Sequence, residues 1–361
     1  MTDVAVALRE RIRRDGPVPL VDAMATAAEH YYGHGKVFGR DGDFITAPDI
    51  SQAFGELIGL WCAVVWERMG RPAPFRLVEY GPGRGTLMAD LLRAVARVPG
   101  FTDAVDIHLV ERSATLRTTQ RDALPNARIT WHTETGTIPT GPMIAIGNEF
   151  ADALPIQQFV RSVGGWNERH VGWNGDAFVF VDLPAARPPI PPALADAPTG
   201  AVFEHCPTAR TWIAALAQRI VHDGGATLVI DYGHVTSSLG DTLQAVKQHR
   251  FHPVLNDLGT ADLTAHVDFD ALAAAARSKG AVVLGPVAQG TWLAQLGIAV
   301  RVAQLTRGQD AARANEIAAA ARRLTSPDGM GLLFKVMAVI HPTLADPALA
   351  TLDGFAQDAA P

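Results

Sequence analysis

From Phe75 onward, short apolar runs alternate with longer stretches whose apolar residues recur every three or four positions. The runs RLVEY (76–80), DIHLV (106–110), ARITW (127–131) and MIAIG (143–147) predict buried strands, because strands covered on both faces lose their in–out alternation. Between the first two, Thr86 opens a predicted helix with Leu87, Leu91 and Val95 on one stripe. After the second, SATLRTTQRDAL predicts another helix, with Ser113 as its N-cap. Strand–helix alternation of this kind predicts a parallel sheet with helices on both faces.

The pattern then changes. QQFVRSVGGWNERHVGWNGDAFVFV carries Gly-Gly and Asn-Gly between strand-like runs and reads as an antiparallel meander. LPAARPPIPPALADAPTG follows, with too many prolines for regular structure. TARTWIAALAQRIV predicts a helix leading into the buried strand ATLVID (226–231), and AVVLG (281–285) and LLFKVMAVI (332–340) predict the last two strands. The expectation is an α/β fold with a Rossmann-like, seven-stranded sheet. It has a helical N-terminal cap and lid (1–70) and a core (71–345) with insertions at about 157–205 and 233–270. A C-terminal tail (346–361) follows. Val4, Leu8 and Ile12 mark a short first helix.

Composition narrows the class. The 361 residues are 48% hydrophobic and carry a formal net charge of −6. That supports a sizeable core and gives no electrostatic case for nucleic-acid binding. The longest apolar segment, LIGLWCAVVW (57–66), is too short to span a bilayer and reads as a buried helix. The first residues, MTDVAVALRERIRRDG, lack the apolar region of a secretory signal. Two cysteines, Cys62 and Cys206, make a disulfide framework unexpected and place the chain in the cytoplasm. The 12 histidines match no zinc spacing, so no metal is expected.

Candidate chemistry begins at Gly81-Pro82-Gly83-Arg84-Gly85, directly after the first strand. A Walker loop needs Lys and Ser/Thr after its last glycine, and here Thr86-Leu87 follows. The dinucleotide fingerprint G-x-G-x-x-G is one residue longer. The tighter spacing resembles class I S-adenosylmethionine-dependent methyltransferases, in which backbone passes beneath the amino-acid and ribose portion of a ligand without phosphate. Glu79, two residues earlier, disfavours a pyrophosphate and suits an ammonium; a carboxylate that only complements the helix dipole is the plainer alternative. Glu111 closes the second strand, where a carboxylate can accept both hydroxyls of a ribose. Trp131-His132 either flanks an adenine or is simply buried.

Asn148, Glu149 and Asp152 lie just beyond the fourth strand. Ligands of open α/β sheets sit outside the carboxyl ends of strands, where the strand order reverses. Polar groups at three strand tips therefore predict one shared pocket. Turn and capping chemistry also accounts for Asn148 and Asp152. Glu149 has less excuse, because a carboxylate beside two apolar strands needs a partner. A methyl group leaves a sulfonium by in-line displacement, so catalysis is mostly alignment of the nucleophile. Where that nucleophile is a guanidinium nitrogen, a carboxylate can grip the other N–H groups. Glu149 is the candidate for that grip. Asp231, Tyr232 and Asp262 either line the same cleft or anchor loops.

These segments together resemble one family. GDFITAPDISQAFGELIGLW, VEYGPGRGTLMADLLR, HLVERSATLR, NEFADALPIQQF, GWNERHV, LVIDYGH, GDTLQAVKQH, DLTAHVDF and MGLLFKVMA are similar to motifs of the S-adenosylmethionine-dependent methyltransferases that include the mitochondrial complex I assembly enzyme. The resemblance runs roughly from Gly16 to Pro342. It implies a class I methyltransferase fold, S-adenosylmethionine as cofactor, and arginine methylation of a partner protein, a respiratory complex I subunit. It assigns Gly81, Gly83, Gly85 and Glu111 to cofactor binding, together with Thr46, Pro48 and Gln52 of the GDFITAPDISQ segment, and it carries Asn148 and Glu149 in its Asn-Glu-Phe motif. The chain departs from the pattern at Ala151, where an aromatic is usual, and at Tyr80. A cofactor-binding assembly factor and a small-molecule methyltransferase remain as other readings, and an oligomer is left open.

Overall fold

A computed structural model describes residues 2–34, 46–345 and 354–355. The central sheet contains β1 (Phe75–Tyr80), β2 (Val105–Val110), β3 (Ile129–His132), β4 (Met143–Asn148), β5 (Gly225–His234), β6 (Val282–Ala288) and β7 (Phe334–Ile340). Their spatial order is β6-β7-β5-β4-β1-β2-β3. Only β7 runs antiparallel to its neighbours; the other pairings between neighbours are parallel. These seven strands fall where the apolar runs predict them; a short eighth, Val267–Asp268, pairs with Gly233 and His234 of β5. The strand predicted from Leu332 begins at Phe334, because Met330–Leu333 forms a helical turn.

Helices cover both faces, which is why the strands read as continuous apolar runs. On one face pack α1 (Gln52–Arg68) and α2 (Thr86–Val95). Leu77, Ile144, Ile146, Leu228 and Ile230 point to that face. Val78, Met143, Ala145 and Val229 point to the other, against α4 (Pro207–Asp223) and α5 (Phe269–Arg277). α3 (Ala114–Ala123) follows β2, and the Ser113 hydroxyl caps it by accepting the Leu116 N–H at 3.4 Å.

The meander and Val202–His205 form four strands of an antiparallel sheet whose fifth is Val18–Pro19. Val18–Pro19 joins it by pairing with His170 and Val171, so the N-terminal helices and the first insertion share one core. The second insertion contributes a three-stranded sheet, Gln244–Lys247, Arg250–His252 and Asp262–Thr264. The expected boundary at residue 70 is corrected. α1 is buried nearly all round and packs on α2 in the main core, so it belongs with the sheet. Between β6 and β7 lies a helical segment (Gln289–Gln295, Ile298–Leu305, Ala311–Thr325) that the sequence reading did not single out. Residues 35–45 of the expected lid lie outside the described residues. So does the expected tail, apart from Gly354 and Phe355; Phe355 packs near Trp292.

Candidate functional site

β1 and β4 lie side by side, and from them the chain order runs in opposite directions across the sheet. Their carboxyl ends therefore leave a crevice at the switch point. Beyond Tyr80 the backbone passes through Gly81, Gly83 and Gly85 at φ of 61°, 52° and 85°. This is the left-handed region that glycine enters without strain. At Gly81 a Cβ would also lie 3.1 Å from the Phe150 ring, and at Gly85 it would lie 3.4 Å from the Gln120 Cα. Gly81 thus needs glycine for shape as well as for torsion, whereas Gly85 needs it for torsion.

Glu79 shares the row of Leu77 on β1, one strand repeat further on, so its side chain falls on the face covered by α1 and α2. It is 3% exposed, and its buried Oε2 has no hydrogen-bond partner among the described residues. Burial pushes its pKa up to about 8. An unpaired buried carboxylate is costly and is relieved by a cation. The orphan oxygen therefore fits the ammonium of an amino-acid-bearing cofactor, with the glycine turn as floor. Gly81, Pro82, Gly83 and Thr86 line the same cleft as Glu79.

The opposite wall comes from β4. Glu149 follows its last residue with φ of 49°, a left-handed value unusual for a glutamate. Its N–H donates to the Ile230 carbonyl at 2.8 Å. Its Oε1 accepts the Ala47 N–H at 2.9 Å and the Asn148 amide at 3.1 Å. Burial is the main cause that raises its pKa to about 7, with the Asp152 charge adding to it. Asn148 is buried, and among the described residues its Oδ1 has no partner. Two unsatisfied acceptors, Glu79 Oε2 and Asn148 Oδ1, therefore belong to residues of one cleft.

A strap crosses this cleft. Thr46 and Pro48 line it, and Thr46 precedes the short helix Ala47–Ile50. The strap is pinned on both sides: Ala47 donates to Glu149, and Asp49 Oδ1 accepts the Thr86 hydroxyl at 2.9 Å.

Four sequence-predicted residues lie outside the lining. Gln52 is exposed and reaches Glu56 at 3.4 Å. Gly85 is the N-cap of α2, packed on α3. Asp152 is buried and accepts the Tyr232 hydroxyl; burial raises its carboxyl to about 6. Glu111 has both oxygens engaged, by the Ser113 N–H at 2.8 Å and the Gln120 amide at 3.2 Å. Burial raises its pKa as well.

Two further residues organise the site. Gln120 is fully buried, and its amide also donates to the Gly83 carbonyl at 2.8 Å while its Oε1 accepts the Trp131 indole at 2.9 Å. It ties the glycine turn to Glu111 and β3. The one available signal was its place four residues after Leu116, on the inner stripe of α3. Asp231, which the sequence left between cleft and anchor, is an anchor. It is buried at the end of β5 and accepts backbone N–H groups from Ala151, Asp152 and Tyr232. Asp262 accepts the Tyr32 hydroxyl at 2.8 Å. Among the described residues no cluster of three or more His, Cys, Asp or Glu is arranged to hold a metal ion, and no helix is long and apolar enough to cross a membrane.

Comparison with known proteins agrees with this geometry. A family model described as S-adenosyl-L-methionine-dependent methyltransferase matches residues 57–287. The mitochondrial protein arginine methyltransferase NDUFAF7 of Rattus norvegicus is 36% identical over 92% of this chain and 83% of its own. The Drosophila melanogaster homologue is 35% identical over 95% and 86%. A COG1565 superfamily member from Burkholderia thailandensis, solved with S-adenosyl-homocysteine bound, superposes with a TM-score of 0.85 at 30% identity, covering 98% of this chain and 94% of that one.

Proposed function

The chain belongs to the S-adenosyl-L-methionine-dependent methyltransferase family, and from that premise we propose that the group it methylates is an arginine guanidinium of a partner protein. When bound, S-adenosylmethionine supplies a methyl group on a positively charged sulfur. Glu79, the glycine turn and Asn148 are the residues that would hold it. The observation that carries the arginine reading is the Glu149 carboxylate, held at the tip of β4 in a left-handed turn and opposite Glu79 across one cleft.

Glu149 suits a guanidinium for three reasons. Its Oε1 is fixed by Ala47 and Asn148, so the carboxylate plane is set before an acceptor arrives. Its Oε2 has no hydrogen bond among the described residues and is free to accept an N–H from the acceptor. Its pKa of about 7 lets Oε2 take the proton that the guanidinium must lose as its nitrogen gains a methyl group.

The relatives named as protein arginine methyltransferases support this reading. The narrower reading, a respiratory complex I subunit as acceptor, rests on the family resemblance. Cys62 and Cys206 are both free thiols, which suits the cytoplasm. Transfer of labelled methyl from S-adenosylmethionine into a cell lysate, followed by hydrolysis and amino-acid analysis, tests the proposal. Label in methylarginine is expected. Label confined to lysine, or to small molecules, overturns it.

A further inference from the structure

The cleft between Glu79 and Glu149 is one cavity among the described residues. A second one, of about 190 Å³, opens on the far side of the turn that follows Glu149. It lies between the first turns of α4 and α5, beyond the carboxyl end of β5. Ala151 forms part of its wall. Glu149 and Ala151 are two residues apart, so the two cavities meet within about 7 Å of chain.

The interior of this cavity is mostly carbon. Ile156, Phe203, Val267 and Leu272 face it, with alanines between them. Its three histidines carry little charge, since burial lowers the pKa of His205 to about 4 and also lowers those of His234 and His266. The volume suits one large side chain.

The mouth is acidic. Glu204 and Asp268 line the cavity but are held by the protein itself. Glu204 accepts the Gln158 amide at 2.7 Å, and Asp268 accepts the Ser237 hydroxyl at 2.6 Å. Asp270 is exposed at the rim and has no hydrogen-bond or ion-pair partner among the described residues. Arg210 is the one cation in the lining. Three carboxylates against one guanidinium leave the rim negative, which complements a segment that carries an arginine.

We propose that this cavity is a subsite for the acceptor protein: it takes a large apolar side chain one or two residues from the methylated arginine, while the acidic rim holds the segment's positive charge. This rests on the reading of the acceptor as a protein arginine. Adjacent residues of an extended chain advance about 3.3 Å, so a neighbour of the arginine reaches across the Glu149–Ala151 turn. Burial of one leucine side chain is worth roughly tenfold or more in affinity.

The test uses short arginine peptides bound to the full-length protein saturated with S-adenosylhomocysteine, and reads affinity by calorimetry. One peptide carries leucine on both sides of the arginine and the other carries glycine. The leucine peptide is expected to bind about tenfold tighter or better. That advantage should vanish in Ala151→Phe and in Ala274→Leu, both of which fill the cavity. The second substitution sits on the exposed side of a helix, so it keeps the test valid if the first fails to fold. Asp270→Lys should weaken both peptides several-fold. Equal affinities in the unaltered protein overturn the subsite, as does a leucine advantage that survives both filled variants. If neither peptide binds, the subsite is refuted; label found in methylarginine of a lysate protein would still support arginine as the acceptor.

Discussion

Asp231 holds Ala151 across the boundary between β5 and β4. Its Oδ2 accepts the Ala151 N–H at 2.9 Å and the Asp152 N–H at 3.2 Å, while its Oδ1 accepts the Tyr232 N–H at 3.0 Å. The turn so held is the one that keeps Glu149 in a left-handed conformation. Asp231→Ala leaves two buried N–H groups and the half-buried Tyr232 N–H without this acceptor, each buried one costing about 1–3 kcal/mol. A loss of about 3 kcal/mol of stability is expected in denaturant melts, with kcat down about 100-fold and cofactor affinity within about threefold. Asp231→Asn keeps one oxygen as acceptor and should fall between the two. A kcat that stays near the unaltered value in Asp231→Ala would separate the turn from catalysis.

Glu149→Gln keeps the shape and the Ala47 contact but removes the charge and the proton acceptor. Methyl transfer should fall by about 100- to 1,000-fold. Cofactor binding, read by calorimetry, should change by less than about threefold. In the unaltered enzyme kcat/KM should rise with pH through about 7, because only the ionised carboxylate accepts a proton and burial has raised its pKa to that range. Flat activity between pH 6 and 8 would remove Glu149 from the proton's path.

Stability should move the opposite way with pH. The carboxyls of Glu79 and Glu149 have folded pKa values raised to about 8 and about 7, above the ordinary value of 4.5. Between those limits the folded chain holds protons that the unfolded chain has released. Folding stability is therefore fully present at the acid end of this window and declines as pH rises through the folded values. A loss of about 5 kcal/mol from pH 5.5 to pH 8 is expected for the protein without cofactor. Glu79→Gln should flatten the slope, and saturation with S-adenosylmethionine should do the same by pairing Glu79 with an ammonium. Melting curves at the two pH values decide it; a slope unchanged in Glu79→Gln would mean that this carboxyl is hydrated.

Gln120→Leu should weaken cofactor binding about tenfold while leaving kcat at saturation within about threefold. The glycine turn loses its tie at the Gly83 carbonyl, and Glu111 loses one of two donors. Titration calorimetry on the variant tests the first part and saturating kinetics the second.

What the sequence disclosed and what it hid divide along contact range. The seven sheet strands were legible because sheet burial on two faces writes itself as continuous apolar runs, from Leu77-Val78 to Val336–Ile340. Glu79, Gly81 and Gly83 were legible because one turn brings them together. Asp231 is 80 residues from Ala151, and no periodicity announces that contact. Gln120 was overlooked because a glutamine on a polar helix ordinarily faces water. Gln52, the first residue of α1, is exposed and reaches Glu56 rather than the cleft lining, an orientation no local pattern announces. Trp166, on the antiparallel meander, is buried against Phe159 and Phe203, contacts that no local pattern announces.

The glycines of α1 give a last prediction, because they set how closely α1 and α2 approach. A Cβ at Gly59 would lie 2.8 Å from the Leu91 carbonyl oxygen, a backbone atom that cannot swing aside. Helix α2 must then move, and its first turn carries the glycine loop and Thr86. Gly59→Ala should therefore cost about 2 kcal/mol through overpacking, despite alanine's higher helix propensity. Cofactor affinity should fall with it, since the cleft floor shifts. Gly33 offers the control: it is helical, and among the described residues nothing lies within 4 Å of its Cβ position. Gly33→Ala should gain about 0.5 kcal/mol and leave cofactor binding unchanged. Thermal melts with and without S-adenosylhomocysteine measure both effects. If Gly59→Ala were as benign as Gly33→Ala, the α1–α2 contact would be looser than these distances require, and the glycine turn would not depend on it.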